Sequence, residues 1–429
     1  MFRDLSMHFN AIFTFGVILI SGYLAGRAAN FLKLPKVTGY IAIGILLEPS
    51  LLGILPAKLI DHSTVLSNFA LCIITYAIGG SLKVKKIKEL GSSIVAMTLF
   101  ESFMTFIAIA AGLYLILPLL GAHAGLDIKP HYVLPLALLA GSLGSPTDPT
   151  PTLAVKEEYK ADGPVTTTIL GIGAFDDALG IINFSVAIAV CSSLLGGTGG
   201  GVNAMLIQPV LTIVLSILTG VVFALFLLFS ARKVEDKGVI VVLIMGALFA
   251  CFGTAELFSL DELLATMTLG CVVVNFSRDS EKFFMSVREY FEEMVFVVFF
   301  VVAGANLELA ILQQSLIVIL IFVVLRIAGK FAGSYTGALL SGAGNNVRKF
   351  TAFGLIPQGG VVVGLALVVN QDKVFSDISV ILLNLILGTT VLFEFIGPLF
   401  TEMALKRSKE VGAGARGYEA RQGKGQSTG

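Results

Sequence analysis

Charge is what this sequence has least of. Only 14% of its 429 residues are Asp, Glu, Lys or Arg, against about a quarter in a soluble protein. With 56% hydrophobic residues and a mean hydropathy of +0.91, the shortage excludes a soluble globular domain. It implies a chain that crosses a bilayer repeatedly, with lipid as its surroundings. The formal net charge is zero, so nothing suggests a nucleic-acid partner. Tryptophan is absent, and 32 phenylalanines supply lipid-facing and packing surface. Four cysteines, Cys72, Cys191, Cys251 and Cys271, fall singly in apolar runs. No two have metal-ligand spacing, and no cofactor is expected. Histidine is equally sparse. His8, His62, His123 and His131 lie toward one expected face, where they could sense external pH or simply belong to polar loops. The first apolar run is expected to be a spanning helix and not a signal peptide. The first apolar run follows MFRDLSMHFN, which has no clearly basic start and no cleavage motif.

What the chain does have is apolar runs of bilayer length. They fall near residues 11–26, 37–53, 63–81, 91–118, 132–155, 164–192, 205–230, 237–252, 257–276, 291–309, 314–342, 349–369 and 376–403, thirteen in all. Basic residues test the count. With the N-terminus outside, inner segments hold 23 of the 29 Lys and Arg, and outer segments hold only Arg3, Lys58, Lys129 and Lys373. This asymmetry predicts a multi-pass protein of a bacterial-type inner membrane, N-terminus out and C-terminus in. The remaining two, Arg326 and Lys330, lie inside the eleventh span. The fold class expected is all-α, with thirteen transmembrane helices. Six-helix halves of opposite orientation flank a seventh, linking span, the inverted-repeat plan of many secondary transporters. Residues after Leu405 are glycine-rich and polar, and are expected to be disordered, with no nucleotide-binding domain beyond them.

Two spans are interrupted near their middles. The fifth carries Gly141, Gly144, Pro146, Thr147, Asp148, Pro149 and Pro151, and the twelfth carries Ile356, Pro357, Gln358, Gly359 and Gly360. Proline removes a helix donor and glycine weakens the helix. Matched interruptions in the two halves point to a transporter's binding site. Crossed breaks would bring helix poles of both signs together.

The sixth span holds Asp176 and Asp177 at its centre, in GIGAFDDALGIINF. Each mid-membrane carboxylate costs about 2.5–3.5 kcal/mol on insertion scales, so the pair is expected to line a water-accessible cavity. Adjacent helix residues point about 100° apart. One aspartate can face a cation while the other faces a partner, with Lys330 the natural choice. Thr147 and Asp148 are further candidate ligands. A cation and protons competing for the same carboxylates is the physical basis of exchange. Glu101, in the fourth span, reads equally well as a core polar group or a packing element, and Glu394 in the thirteenth as structural.

At these residues the chain resembles the monovalent cation:proton antiporters, chiefly the second family, which holds the Nap-type sodium/proton antiporters and Kef-type potassium efflux systems. Residues 34–49, LPKVTGYIAIGILLEP, resemble its LPxVxGYLxxGxLLGP signature, with Glu48 at a usual glycine. Phe175-Asp176-Asp177 is similar to the double-aspartate motif of electrogenic members. Gly329-Lys330 resembles the segment bearing the membrane lysine, and Ile356-Pro357-Gln358-Gly359-Gly360 the second broken helix. Thr147-Asp148-Pro149 is similar instead to the first antiporter family, whose members pair Asn-Asp with an arginine. Both Lys330 and Arg326 therefore stand as candidates for the site cation.

The resemblance implies a homodimer working by an elevator-like shift. Its core transport domain would be residues 91–192 and 314–405. Residues 11–90 and 205–309 would form the dimerisation side, between an outer N-terminus at 1–10 and a cytoplasmic tail at 406–429. It implies sodium/proton exchange, with lithium or potassium as other cargo, in the service of pH homeostasis. Asp177 would be the ion-binding carboxylate and Asp176 the partner of Lys330. One rival is a sodium-coupled solute symporter, since broken helices also bind organic anions. Another is an intramembrane aspartyl protease, but that chemistry needs two carboxylates converging on one bond, and adjacent residues on one helix suit it poorly. No enzyme activity is expected.

Overall fold

The computed structural model describes residues 11–32, 36–48, 63–85, 91–120, 128–195, 202–234, 236–277, 280–307 and 315–412, with single positions 52 and 88. The expected outer N-terminus 1–10, three of the four histidines and residues 413–429 lie outside them. The described chain is helical, and its one strand-like feature is an isolated bridge between Thr147 and Gln358. Backbone amides in lipid have no water to bond, so an apolar run satisfies them internally as helix.

In chain order the helices are α1 (Ala11–Phe31), α2 (Lys36–Leu47), α3 (Ser63–Ser81), α4 (Ser92–Leu120), α5 (Pro130–Leu143), α6 (Thr150–Tyr159), α7 (Pro164–Leu195) and α8 (Val202–Ser230). They continue as α9 (Lys237–Leu257), α10 (Glu262–Phe276), α11 (Ser280–Ala305), α12 (Leu316–Leu340), α13 (Asn345–Gly354), α14 (Val361–Gln371) and α15 (Ser376–Arg407). Local chemistry sets several starts. Asp236 and Asp261 accept from Val239 and Leu264 N–H as N-caps of α9 and α10, and Pro130 and Pro164 open α5 and α7. Among the described residues seven helices are long and apolar enough to cross a membrane, and shorter apolar helices of 10–17 residues accompany them.

The fifth and twelfth apolar runs are each two helices. Residues 144–149 separate α5 from α6, and residues 355–360 separate α13 from α14. One sequence boundary moves. The last helix continues to Arg407, and residues 408–412 fold back on the bundle, so positions 406–412 do not belong to a disordered tail. Their order comes from contacts with residues some 245 positions away, which composition does not reveal.

Helices α4–α7 and α12–α15 pack around the two breaks. The tightest pair is α12 on α4. Added Cβ atoms at Gly329, Gly333 and Gly337 would lie 2.6, 2.5 and 2.7 Å from the Cα atoms of Thr105, Glu101 and Met97. Small residues at four-residue spacing thus bring two backbones together in a medium where dispersion, not hydrophobicity, drives association. The remaining helices, α1–α3 and α8–α11, form a second group centred on α3 against α10 and α11. The groups meet where α7 touches α3 and α8, and where α14 touches α11.

Candidate functional site

The two unwound segments pass each other antiparallel. Asp148 N–H donates to Pro357 O at 3.2 Å, and Gly359 N–H donates to Pro146 O at 3.4 Å. Thr147 and Gln358 face each other at the crossing, both buried. Proline at 146 and 357 leaves each segment short of a donor, so its carbonyls need partners from elsewhere.

Arg326 supplies them. Its Nε donates to Gly144 O at 2.8 Å, and its two terminal nitrogens donate to Ile356 O, Pro146 O and Pro357 O. These carbonyls belong to the C-terminal poles of α5 and α13, where partial negative charge gathers. The planar fork of a guanidinium suits four acceptors in a way an ammonium cannot. Phe393 lies 4.4 Å below it, ring centroid to guanidinium carbon.

Lys330 sits one turn further along the same face of α12 and does something else. Its Nζ lies 2.6 Å from Glu101 Oε1 and 3.2 Å from Asp176 Oδ2, and it donates to Thr147 Oγ1 and to Ser145 O. The Thr147 hydroxyl in turn donates to Asp176 Oδ2 at 2.6 Å. Lys330, Glu101 and Asp176 are all wholly buried. Of the two candidate cations, then, Lys330 is the one paired with carboxylates, while Arg326 donates to backbone carbonyls. Glu101 is a full member of this cluster. Its one sequence signal is an acidic residue in the middle of an apolar run.

Asp177 differs from its neighbour. Asp176 also keeps one partnerless oxygen, Oδ1, beside the Oδ2 that Thr147 and Lys330 hold, whereas Asp177 is partly exposed and makes no side-chain hydrogen bond among the described residues, its Oδ1 included. That oxygen faces the second break, 3.0 Å from where a Cβ on Gly359 would lie. Pro146 packs on Gly180 and Pro149 on Gly173, so the first break rests along α7 on both sides of the aspartates. Pro357 packs on Gly397 of α15. Asp148 is half-buried, two positions ahead of α6, near a positive helix pole. Glu394 is buried beside Phe393, and its Oε1 lacks a partner among the described residues. A cavity of about 610 Å³ opens further along α7, lined by Ser185, Ser192, Glu256, Asp261, Glu262 and Asp372, between the two helix groups. Among the described residues no cluster of three or more His, Cys, Asp or Glu could hold a resident metal.

Comparison with known proteins agrees with this architecture. Residues 16–407 match the family model described as sodium/hydrogen exchanger, transmembrane. A probable Na(+)/H(+) antiporter of Bacillus cereus, GerT, is 25% identical over 366 residues, covering 82% of this chain and 88% of the relative. The ammonium/H(+) antiporter subunit AmhT of Alkalihalophilus pseudofirmus is 20% identical across 93% of this chain and 96% of its own length. Among solved structures, the sodium proton antiporter MjNhaP1 of Methanocaldococcus jannaschii superposes with a TM-score of 0.73, 17% identity, and 94% and 99% coverage.

Proposed function

Because the chain belongs to the transmembrane sodium/hydrogen exchanger family, we propose that it exchanges sodium, or another small monovalent cation, for protons at Asp177. The observation that carries this reading is the contrast between adjacent carboxylates. Asp176 is buried with its Oδ2 held by Thr147 and Lys330 and only its Oδ1 without a partner, whereas Asp177 is partly exposed and its side chain makes no hydrogen bond among the described residues at the crossing of the breaks. A carboxylate in that position binds a cation with help from backbone carbonyls, and Thr147 and Asp148 stand close enough to the crossing to assist. Protons compete for the same oxygens, which couples the two fluxes.

Thirteen spans with the N-terminus outside and the C-terminus in the cytoplasm account for the basic-residue asymmetry. In this reading α4–α7 and α12–α15 form the core, and it shifts like an elevator against α1–α3 and α8–α11, the side through which two copies pair. The name of the relative AmhT adds ammonium to the cations worth assaying. A sodium-coupled symporter would need a pocket for an organic solute beside Asp177, and no observation favours one.

Asp177→Asn tests the proposal. Everted membrane vesicles energised by respiration should show sodium-driven recovery of a pH-sensitive dye with the wild-type protein, and none with the variant at equal expression. Wild-type recovery from the variant would refute the assignment.

A further inference from the structure

Helix α7, which carries both aspartates, has no capping side chain of its own at its start. The residue before Pro164 is Gly163. The cap comes instead from beyond the last helix. Glu410 Oε1 accepts from Val165 N–H at 2.7 Å, and Oε2 accepts from Thr166 N–H at 2.8 Å and from Thr166 Oγ1 at 2.7 Å. Glu410 is only 6% exposed. Its own carbonyl accepts from Asp162 N–H at 3.2 Å, and Gly412 N–H donates to Tyr159 O at 3.0 Å. Three consecutive elements, the end of α6, the connecting turn and the start of α7, are thus tied to one short segment.

Two further features are built around this contact. Gly163 leaves room for it, since a Cβ there would lie 2.4 Å from the Glu410 carboxyl carbon. Lys409 adopts φ +64°, a left-handed conformation that costs a non-glycine residue about 1–2 kcal/mol. That turn closes α15, with Glu410 N–H donating to Leu405 O and Lys409 N–H donating to Lys406 O, the pattern of a Schellman motif with lysine where glycine is usual. Strain of this kind persists only where the surroundings over-determine it. Here it turns Glu410 onto α7.

We propose that Glu410 is a positioning residue for exchange: by capping α7 from the end of α15, it sets the depth and rotation at which α7 presents Asp176 and Asp177. The inference rests on the reading of those carboxylates as the ion site. Asp176 lies eleven residues past Val165, about 16 Å along a continuous helix at 1.5 Å per residue, so an axial slip or twist at the cap is carried to the site undamped. Simple capping makes a different demand. A local cap would stabilise the helix end equally well but would not fix α7 relative to α15.

Full-length variants separate the two. Glu410→Ala is expected to keep its membrane yield and raise the KM for sodium about tenfold in everted vesicles, since ångström-scale misplacement costs up to about 10²-fold. The pair Gly163→Ser with Glu410→Ala supplies a cap in cis. It is expected to restore slow hydrogen exchange at Val165 and Thr166 while the KM stays raised. Restoration of KM by the serine would overturn the proposal, leaving Glu410 a cap only. So would an unchanged KM in Glu410→Ala. If the alanine variant fails to accumulate, Glu410→Gln takes its place, because one amide oxygen cannot serve all three donors. Absence of exchange in the wild-type protein would sink the antiporter reading itself, and is scored in the same assay.

Discussion

Thr147 shows how much a single hydroxyl can hold together. It donates to Asp176 and accepts from Lys330, so Thr147→Val, nearly the same shape, leaves a buried carboxylate and a buried ammonium each short of one bond. Loss of about 1–3 kcal/mol is expected for such an orphaned group, read as a lower melting temperature in detergent together with slower exchange. Glu101 invites a graded test. Glu101→Ala removes one partner of a buried pair, a loss of about 3–5 kcal/mol. Glu101→Gln should cost less, because the amide oxygen still accepts from Lys330. Equal melting temperatures for the two would deny the ion pair a role in stability. Residue types and their depth were legible in the sequence: two aspartates, a lysine and an arginine stand out against an apolar background. The division of labour between Lys330 and Arg326 was not. They share a helix face four residues apart, and only the places where α5 and α13 end decide which cation meets carbonyls and which meets carboxylates.

At the level of elements, the glycines of α12 matter as much as its charges. Gly333 lies against the backbone of Glu101, and backbone cannot swing aside as a flexible side chain can. Gly333→Val should force α12 away from α4, separate Lys330 from Glu101, and abolish exchange with a marked fall in folded yield. Fluorescence-detected gel filtration reads the yield directly, and a wild-type profile would contradict the packing argument. The breaks themselves were readable, because proline and glycine act locally on the helix that contains them. The final turn was not. Its glycine-rich, polar composition looks solvated, and the order of residues 408–412 comes from partners on α6 and α7 that no local pattern announces.

For the molecule as a whole, the contacts between the two helix groups are the ones that the proposed elevator-like shift would exchange. Ser81 at the end of α3 donates to Ala174 O on α7 at 3.0 Å, one turn from the aspartates. Within the core a lost bond changes stability. Between moving bodies it changes the balance of states instead. Ser81→Ala removes about 0.5–1.5 kcal/mol from one state only, and is expected to change sodium KM by a factor of about two to ten with the melting temperature unaltered. A fixed KM would mean that the contact survives throughout the cycle. The multi-pass helical character could be read at this scale from the apolar runs. How the helices divide into two groups could not, because nothing in an apolar run says which neighbour it will meet.

One consequence follows from the guanidinium at the crossing. Arg326 grips four carbonyls contributed by two stretches of chain about 210 residues apart, and it is planted on a third element. It works as a rivet through two plates. Neither stretch can swing clear of the other without shearing it, so the middle of the bundle offers no hinge. In the exchange proposed above, a passage to either side would then be opened by hauling the riveted piece bodily past its neighbours.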